Sequence, residues 1–450
     1  MSARKILMKD IAVVGHAIPL SSACLQIFWI LAIWWTGATA NVDKLRILLV
    51  CALALCPLAY LVPADGLQYV RRRVVAVGSG TSRGEVLFLS GFIIAVGGVY
   101  STFQGVETLV AERSVYDASV IVAREGLGAL LAQYGKLHWL GIQHPPFVPW
   151  LNGTVMVLFG ENLLVVRLVS LTFGLGTVLA LYGFGRDLYG HEVGLTAAVC
   201  FICFPYFFRL SAAASNDIQV TLFFLLTLWI TFRLRRNPSW SLAAVGGLTL
   251  GLGILSKYPM VLFYPVLGYM FWTSDRGAAC ARQAFLASVS VAIVLAWLGL
   301  AFHIGILQLQ SDTLTGFSLS VADTIWGKWM FLEFATTRLP SALGVYSLPT
   351  LLVGGIFVAT RPRDPNDRLL LVWSTVVFGF FSVTLPDSRY CLPAYPALAL
   401  IMARGLDQIP QAKEKVLWLL VVECALALYL FVDWSRSSHL FIDEYVDLMP

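Results

Sequence analysis

The chain has 450 residues, of which 58% are hydrophobic and 13% charged; its mean hydropathy is +0.78 and its formal net charge +5. A soluble domain carries about 25% charged residues, so lipid is the solvent for most of this surface and a soluble globular fold is excluded. The small positive excess is accounted for by Arg-rich loops and asks for no nucleic-acid partner.

Arg4, Lys5 and Lys9 precede a long apolar stretch without a small-residue cleavage site, which reads as a retained span and not a signal peptide. Apolar segments follow at about 11–38, 45–63, 86–105, 163–184, 191–208, 214–233, 240–256, 259–273, 283–303, 341–360, 369–386, 392–405 and 415–433. At roughly 20 residues per crossing these are about thirteen candidate spans. Only helices and closed barrels satisfy the backbone in lipid, and continuous apolar runs decide for helices. The sequence therefore predicts an all-α polytopic integral membrane protein with about 11–13 spans. Residues 147–160 are too short to cross and are expected at the interface.

Short loops rich in Lys and Arg face the cytoplasm. Arg71, Arg72, Arg73 and Arg83, then Arg186, then Arg233, Arg235 and Arg236, then Arg276 and Arg282, then Arg361, Arg363 and Arg368, and finally Arg404, Lys413 and Lys415 all fall on one side if the spans alternate. Lys44 and Arg46 break the pattern. The opposite side holds two long connections, about 106–162 and 304–340, the corners near 209–216, 257 and 387–391, and the acidic tail with Asp443, Glu444 and Asp447. Loops this long are usually functional. Trp139, Trp150, Trp326 and Trp329 suit short interfacial helices or the ordinary aromatic belt.

Polar residues on this outer side need an explanation. Asp117 stands in Val-Tyr-Asp-Ala-Ser, where a solvated charge is the plain alternative to a role. His144-Pro145-Pro146 opens a helix, as prolines in a first turn do. Arg209, Asn216 and Asp217 lie at the outer ends of two adjoining spans, and helix capping is the competing account of Asn216 or Asp217. Lys257, between two apolar helices, runs against the charge bias and wants an acid or a phosphate. Asp387-Ser-Arg389-Tyr390 forms a corner at the same level, where a local Asp387–Arg389 contact is the simple reading. Together these place two acids, two cations, a His and a Tyr at one face. A carboxylate beside cations suits acid–base chemistry on a phosphate-bearing substrate. The eight cysteines are scattered through apolar segments, and Cys200-x-x-Cys203 reads as helix packing rather than a redox pair.

Several of these pieces resemble one family. His144-Pro145-Pro146, Phe159-Gly160 with Arg167-Leu168, Gly185-Arg186 with Leu188-Tyr189-Gly190, Pro205, Asn216-Asp217 and Gly253 through Ser256-Lys257 resemble, in order and spacing, the core of the GT-C glycosyltransferases related to protein O-mannosyltransferases and lipid A aminoarabinose transferases. Arg389-Tyr390 with Pro393 and Pro396 resembles a later motif of the same family. The resemblance covers about 115 residues plus that motif. It implies a GT-C bundle, with an N-terminal two-span extension (1–85), a catalytic core (86–405), and a last span with an acidic outer tail (406–450).

It further implies transfer of a sugar from a polyprenyl-phosphate carrier to a lipid, glycan or protein acceptor, on the non-cytoplasmic face of a bacterial inner membrane, with inversion. Asp117 would be the acid of the first outer loop and Asp217 the second acid. Lys257 and Arg389 would hold phosphate, with His144, Asn216, Tyr390 and, as a looser fit, Arg209 contacting substrate. The family often has Asp-Glu where this chain has Asp117-Ala118, which counts against a metal built on paired acids; His144 with one acid is the remaining divalent-ion candidate. No Gly-rich nucleotide loop follows a strand. A transporter or lipid-linked sugar flippase is the competing class and predicts charges near mid-membrane and internal repeats. A polymerase or ligase would keep the enzyme class and change the substrate.

Overall fold

A computed structural model of the protein describes residues 110–134, 144–274, 277–304, 339–344, 347–360, 364–384, 388–409 and separate positions to 421. The predicted spans at 11–38, 45–63 and 86–105 lie outside the described residues, as do most of the 304–340 loop, most of the last span, Asp387 and the acidic tail.

Every described element is helical. The first outer loop carries α1 (Val110–Glu125), α2 (Leu127–Ala132) and α3 (Phe147–Phe159). Then come α4 (Leu163–Tyr189), α5 (His191–Ile202), α6 (Pro205–Ala212), α7 (Asn216–Arg236) and α8 (Trp240–Ser256). A 3-10 turn, Tyr258–Leu262, leads into α9 (Phe263–Trp272), followed by α10 (Ala278–His303), α11 (Leu339–Leu343), α12 (Ser347–Ala359), α13 (Pro365–Thr384) and α14 (Tyr395–Leu406).

Helices α4, α7 and α10 are long and apolar enough to cross a bilayer. The predicted span 191–208 is instead two helices, α5 and α6, bent by 68°. Pro205 opens α6 and cannot donate the backbone hydrogen bond that would continue α5, so the span breaks there. Helices α3, α8, α12 and α14 are shorter apolar helices. Leu179, Val245, Leu248, Leu295, Leu352 and Ile356 point outward, an apolar exterior that water would not tolerate over so wide an area. The protein is an integral membrane protein.

Inside the bundle, Trp373 stacks on Phe224 at 5.7 Å, with Phe263 and Phe184 against the same pair. Cys200 and Cys203 are buried in this core, as their apolar flanks predict. Close helix approach in membranes relies on small residues, and α4 meets α5 at Gly185 and Gly194. A Cβ on Gly185 would stand 2.8 Å from Gly194 Cα. The corner joining them is Gly190, whose φ of 100° lies in the region that only glycine adopts freely.

In the outer loop, α1 and α3 pack face to face. Val115, Ala118 and Val122 meet Val148 and Met156 in a small core of their own. Val157, Leu158 and Phe159 stay exposed at the end of α3, the apolar edge expected of an interfacial helix.

Contacts sort the charges to two ends of the bundle. One end joins the start of α7 and the 3-10 turn Tyr258–Leu262 to the 388–390 corner. At the other, Tyr189 donates to Asp367 at 2.7 Å, Arg233 pairs with Asp187 at 3.0 Å and Lys413 lies 3.4 Å from Glu192. The basic last turns of α7 (Arg233, Arg235, Arg236) and α14 (Arg404, which pairs with Asp367) therefore share an end, as strict alternation of spans requires.

Candidate active site

Helix α7 is capped by Ser215. Its hydroxyl accepts the Asp217 amide N–H at 3.2 Å and donates to Asp217 Oδ2 at 3.1 Å. Capping, the competing account of Asn216 and Asp217, thus belongs to their neighbour, and the Asp217 carboxylate is left to face the cations.

Lys257 ends α8 in extended backbone (φ −165°) just before the 3-10 turn, which swings its side chain across the end of α7. Its Nζ donates to Asp217 Oδ1 at 2.6 Å, and both side chains are buried. Arg389 reaches the same carboxylate from the other side, with Nε 3.8 Å from Oδ2. Tyr390 underlies both cations: Lys257 Nζ lies 4.4 Å and Arg389 Cζ 4.9 Å from its ring centre, and Arg389 Nη2 donates to its hydroxyl at 3.1 Å. Phe381 stacks on the back of that ring at 5.5 Å. The corner itself is held by Tyr395 donating to Ser388 O at 3.1 Å and Trp373 donating to Pro393 O at 3.0 Å.

Two full positive charges thus converge on one carboxylate beside an aromatic face. Among the described residues, Asp217, Lys257 and Arg389 together sum to one positive charge, an arrangement that suits an anion.

His144 stands at the start of the turn into α3, and its carbonyl accepts from the Tyr134 hydroxyl at 2.9 Å. The Pro-Pro turn after it brings Phe147 against Phe223 of α7 at 5.9 Å. Asn216 is buried, and among the described residues neither its amide nitrogen nor its amide oxygen has a partner. Arg209 lies on α6, and its side chain is outside the described residues. Asp117 is on α1 with its side chain 58% exposed and Arg113 Nε 3.9 Å away; the described contacts do not bring it to the Lys257–Arg389 pair.

The acid of α1 that turns inward is Glu112, which the sequence reading did not single out. Its carboxylate takes Arg167 Nε at 2.7 Å and Nη2 at 2.8 Å, with the two residues only 2% and 3% exposed. Glu112 Oε1 also accepts the Ala214 N–H at 2.8 Å, three residues before Asp217. One signal pointed there: Arg167 sits in the second turn of an apolar span, and such a charge demands a buried partner.

Among the described residues no three His, Cys, Asp or Glu side chains converge to hold a metal ion. His144 and Asp217 supply one acid and one imidazole, and Asp217 is already engaged by two cations. The described residues do not fit a divalent ion, and no step is derived through one.

With this geometry, comparison with known proteins decides the architecture. The structure aligns with the crystal structure of ArnT from Cupriavidus metallidurans bound to undecaprenyl phosphate with a TM-score of 0.53 at 17% identity, over 73% of this chain and 61% of that one. It aligns with the oligosaccharyltransferase of Archaeoglobus fulgidus with a TM-score of 0.52 at 13% identity, over 77% and 55%. The chain has the GT-C fold. Residues 143–299 match the family described as dolichyl-phosphate-mannose-protein mannosyltransferase. That stretch runs from the residue before His144 into α10 and contains Arg167, Asp217 and Lys257. An undecaprenyl phosphate-alpha-4-amino-4-deoxy-L-arabinose arabinosyl transferase of Pseudomonas savastanoi pv. phaseolicola is 26% identical over 308 residues, 62% of this chain and 55% of that protein. One from an Enterobacter species is 24% identical over 344 residues, 67% and 58%. The GT-C chain described here therefore spans little more than half the length of these relatives.

Proposed function

We propose that this GT-C protein is a membrane glycosyltransferase that moves a sugar from a polyprenyl-phosphate carrier, of the undecaprenyl type, to an acceptor at the non-cytoplasmic face of a bacterial inner membrane. The observation that carries the reading is the convergence of Lys257 and Arg389 on Asp217 at the bundle end opposite the Arg-rich segments. The names of the arabinosyl transferase relatives support the class of donor.

In this reading the donor's phosphodiester enters between Lys257 and Arg389, and its isoprenoid lies along the apolar exterior. The acceptor hydroxyl or amine attacks the anomeric carbon as the bond from that carbon to the phosphate oxygen breaks. The electron pair leaves on the carrier phosphate, which gains negative charge. Lys257 and Arg389 stabilise that charge in the transition state more than in the bound donor, which is how an electrostatic site lowers a barrier. A single displacement inverts the anomeric centre.

The acceptor's proton goes to a carboxylate. Asp217 is engaged by two cations and Glu112 by Arg167 and a backbone N–H, so neither has a free basic oxygen. Asp117, an exposed acid of the outer-loop helix, takes the part of base or acceptor-orienting group, as the family resemblance implies; an ordinary carboxylate is ionised at neutral pH. Asp217 then serves by fixing Lys257 and Arg389, with Asn216 and His144 flanking the substrate.

The test is transfer from an undecaprenyl-phosphate-linked sugar by purified protein in nanodiscs. Asp117→Asn is expected to lower turnover by about 100-fold or more with donor binding intact. Wild-type turnover in Asp117→Asn removes that residue from the chemistry.

A further inference from the structure

Between α6 and α7 the chain makes a tight passage, Ala213-Ala214-Ser215, and then presents Asn216 and Asp217 to the site. Backbone N–H groups at a break between membrane helices need partners from the protein, because lipid offers none. Ala214 finds its partner in a side chain 102 residues away, Glu112, which is held at the same time by the Nε–Nη2 edge of the Arg167 guanidinium. Three elements therefore meet at one carboxylate: the outer-loop helix α1, the span α4 and the turn that starts α7.

A buried ion pair is a poor device for stability alone. Desolvation of the two charges offsets much of their attraction, and apolar replacements of similar volume are often neutral or better. What a bidentate Arg–carboxylate pair supplies is fixed geometry. Here the geometry is delivered three residues upstream of Asp217, in a turn whose Asn216 amide is buried without a partner among the described residues. An unsatisfied buried amide is costly unless something else hydrogen-bonds it; a ligand in the adjoining anion site would do so.

We propose that Glu112 and Arg167 form a positioning clamp for the phosphate site: by pinning the Ala214 N–H they set where Asp217 and Asn216 stand, and through Asp217 where Lys257 and Arg389 point. The inference rests on the phosphate-binding reading of that site but not on sugar transfer. It assigns no proton transfer to Glu112, which stays paired throughout. It also gives the outer loop a second task, since any movement of α1 is transmitted to the turn through one carboxylate.

The experiment measures the Kd of undecaprenyl phosphate for the full chain in nanodiscs of phosphatidylethanolamine and phosphatidylglycerol, with melting temperature recorded in parallel. Glu112→Gln keeps the shape and an acceptor for Ala214 but removes the charge that orients Arg167. The double variant Glu112→Met with Arg167→Met removes both charges and the Ala214 acceptor while leaving an apolar contact. Both are expected to bind about tenfold more weakly or worse, the double variant without a matching fall in melting temperature. Glu161→Gln, which breaks the exposed pair with Arg124, serves as the control and binds like wild type. A folded double variant that binds like wild type reduces the clamp to a structural staple and overturns the proposal. If the double variant does not fold, wild-type affinity in Glu112→Gln overturns it equally. Wild-type protein that binds undecaprenyl phosphate yet transfers no sugar refutes the transferase reading and leaves the clamp standing. Wild-type protein that does not bind it overturns both.

Discussion

Lys257 Nζ stands 2.6 Å from Asp217 Oδ1 with both side chains buried, although the two residues are separated by a complete helical hairpin. Each would be costly alone. Together they form a salt bridge, and Arg389 Nε lies 3.8 Å from the other oxygen of the same carboxylate.

Removing one partner of a buried pair strands the other charge. Lys257→Met is expected to destabilise the protein by about 3 kcal/mol, the lower end of the range for such a break, because Arg389 remains near Asp217. Asp217→Asn leaves two cations without their counter-charge and has a comparable effect. Urea or detergent unfolding of the single variants measures both, and Lys257→Met with Asp217→Leu should recover part of the loss, the rest falling on Arg389, which loses the Asp217 carboxylate. No recovery in the double variant would mean that the two side chains are not energetically coupled.

Tyr390 offers the cations a ring and a hydroxyl. Tyr390→Phe keeps the ring and forfeits one hydrogen bond from Arg389, an expected cost of about 1 kcal/mol. Tyr390→Leu also removes the cation–π contacts to Lys257 and Arg389, worth up to about 2 kcal/mol more where they are desolvated. The stability order wild type, Phe, Leu checks this. Equal loss in both variants would assign the whole effect to the hydroxyl.

Ser215 caps α7 and touches Asp217 Oδ2. Ser215→Ala is expected to cost about 1 kcal/mol through the lost cap and to weaken binding of undecaprenyl phosphate as well. Ser215→Asn, another good cap, should restore stability without restoring affinity, since it lacks the hydroxyl geometry at Asp217. Full recovery of both would reduce Ser215 to a cap.

Gly185 and Gly194 let α4 and α5 touch backbone to backbone. Gly185→Val is expected to destabilise by about 2 kcal/mol or more through overpacking, read as a lower melting temperature. An unchanged melting temperature would show that the two helices can separate freely.

Much of this was legible in the chain. Runs of apolar residues placed the helices, and charge at span ends placed Asp217, Lys257, Arg389 and Tyr390 on one side, because an unpaired charge in a bundle has few places to go. The break at Pro205 was harder: hydropathy continues smoothly across 191–208, and only the missing N–H of proline interrupts the helix. The outer-loop acids were the other difficulty. Asp117 drew attention by its position before His144-Pro145-Pro146, whereas Val115, Ser119 and Val122 mark the buried face of α1. Glu112 shares that face at helical spacing and Asp117 does not. That periodicity was present in the sequence, but its meaning depended on knowing that Arg167 and Ala214 lie across from it.

The central claim is that Lys257 and Arg389 hold the phosphate of a lipid-linked sugar and stabilise it as it leaves. The most direct measurement is single-turnover transfer from a radiolabelled undecaprenyl-phosphate-linked sugar, comparing wild type with Lys257→Met and Arg389→Met, each quantified as correctly folded protein. The account predicts release of undecaprenyl phosphate and an inverted product by the wild type, with the rate at saturating donor reduced at least 100-fold in each variant. Wild-type rates in either folded variant would contradict it.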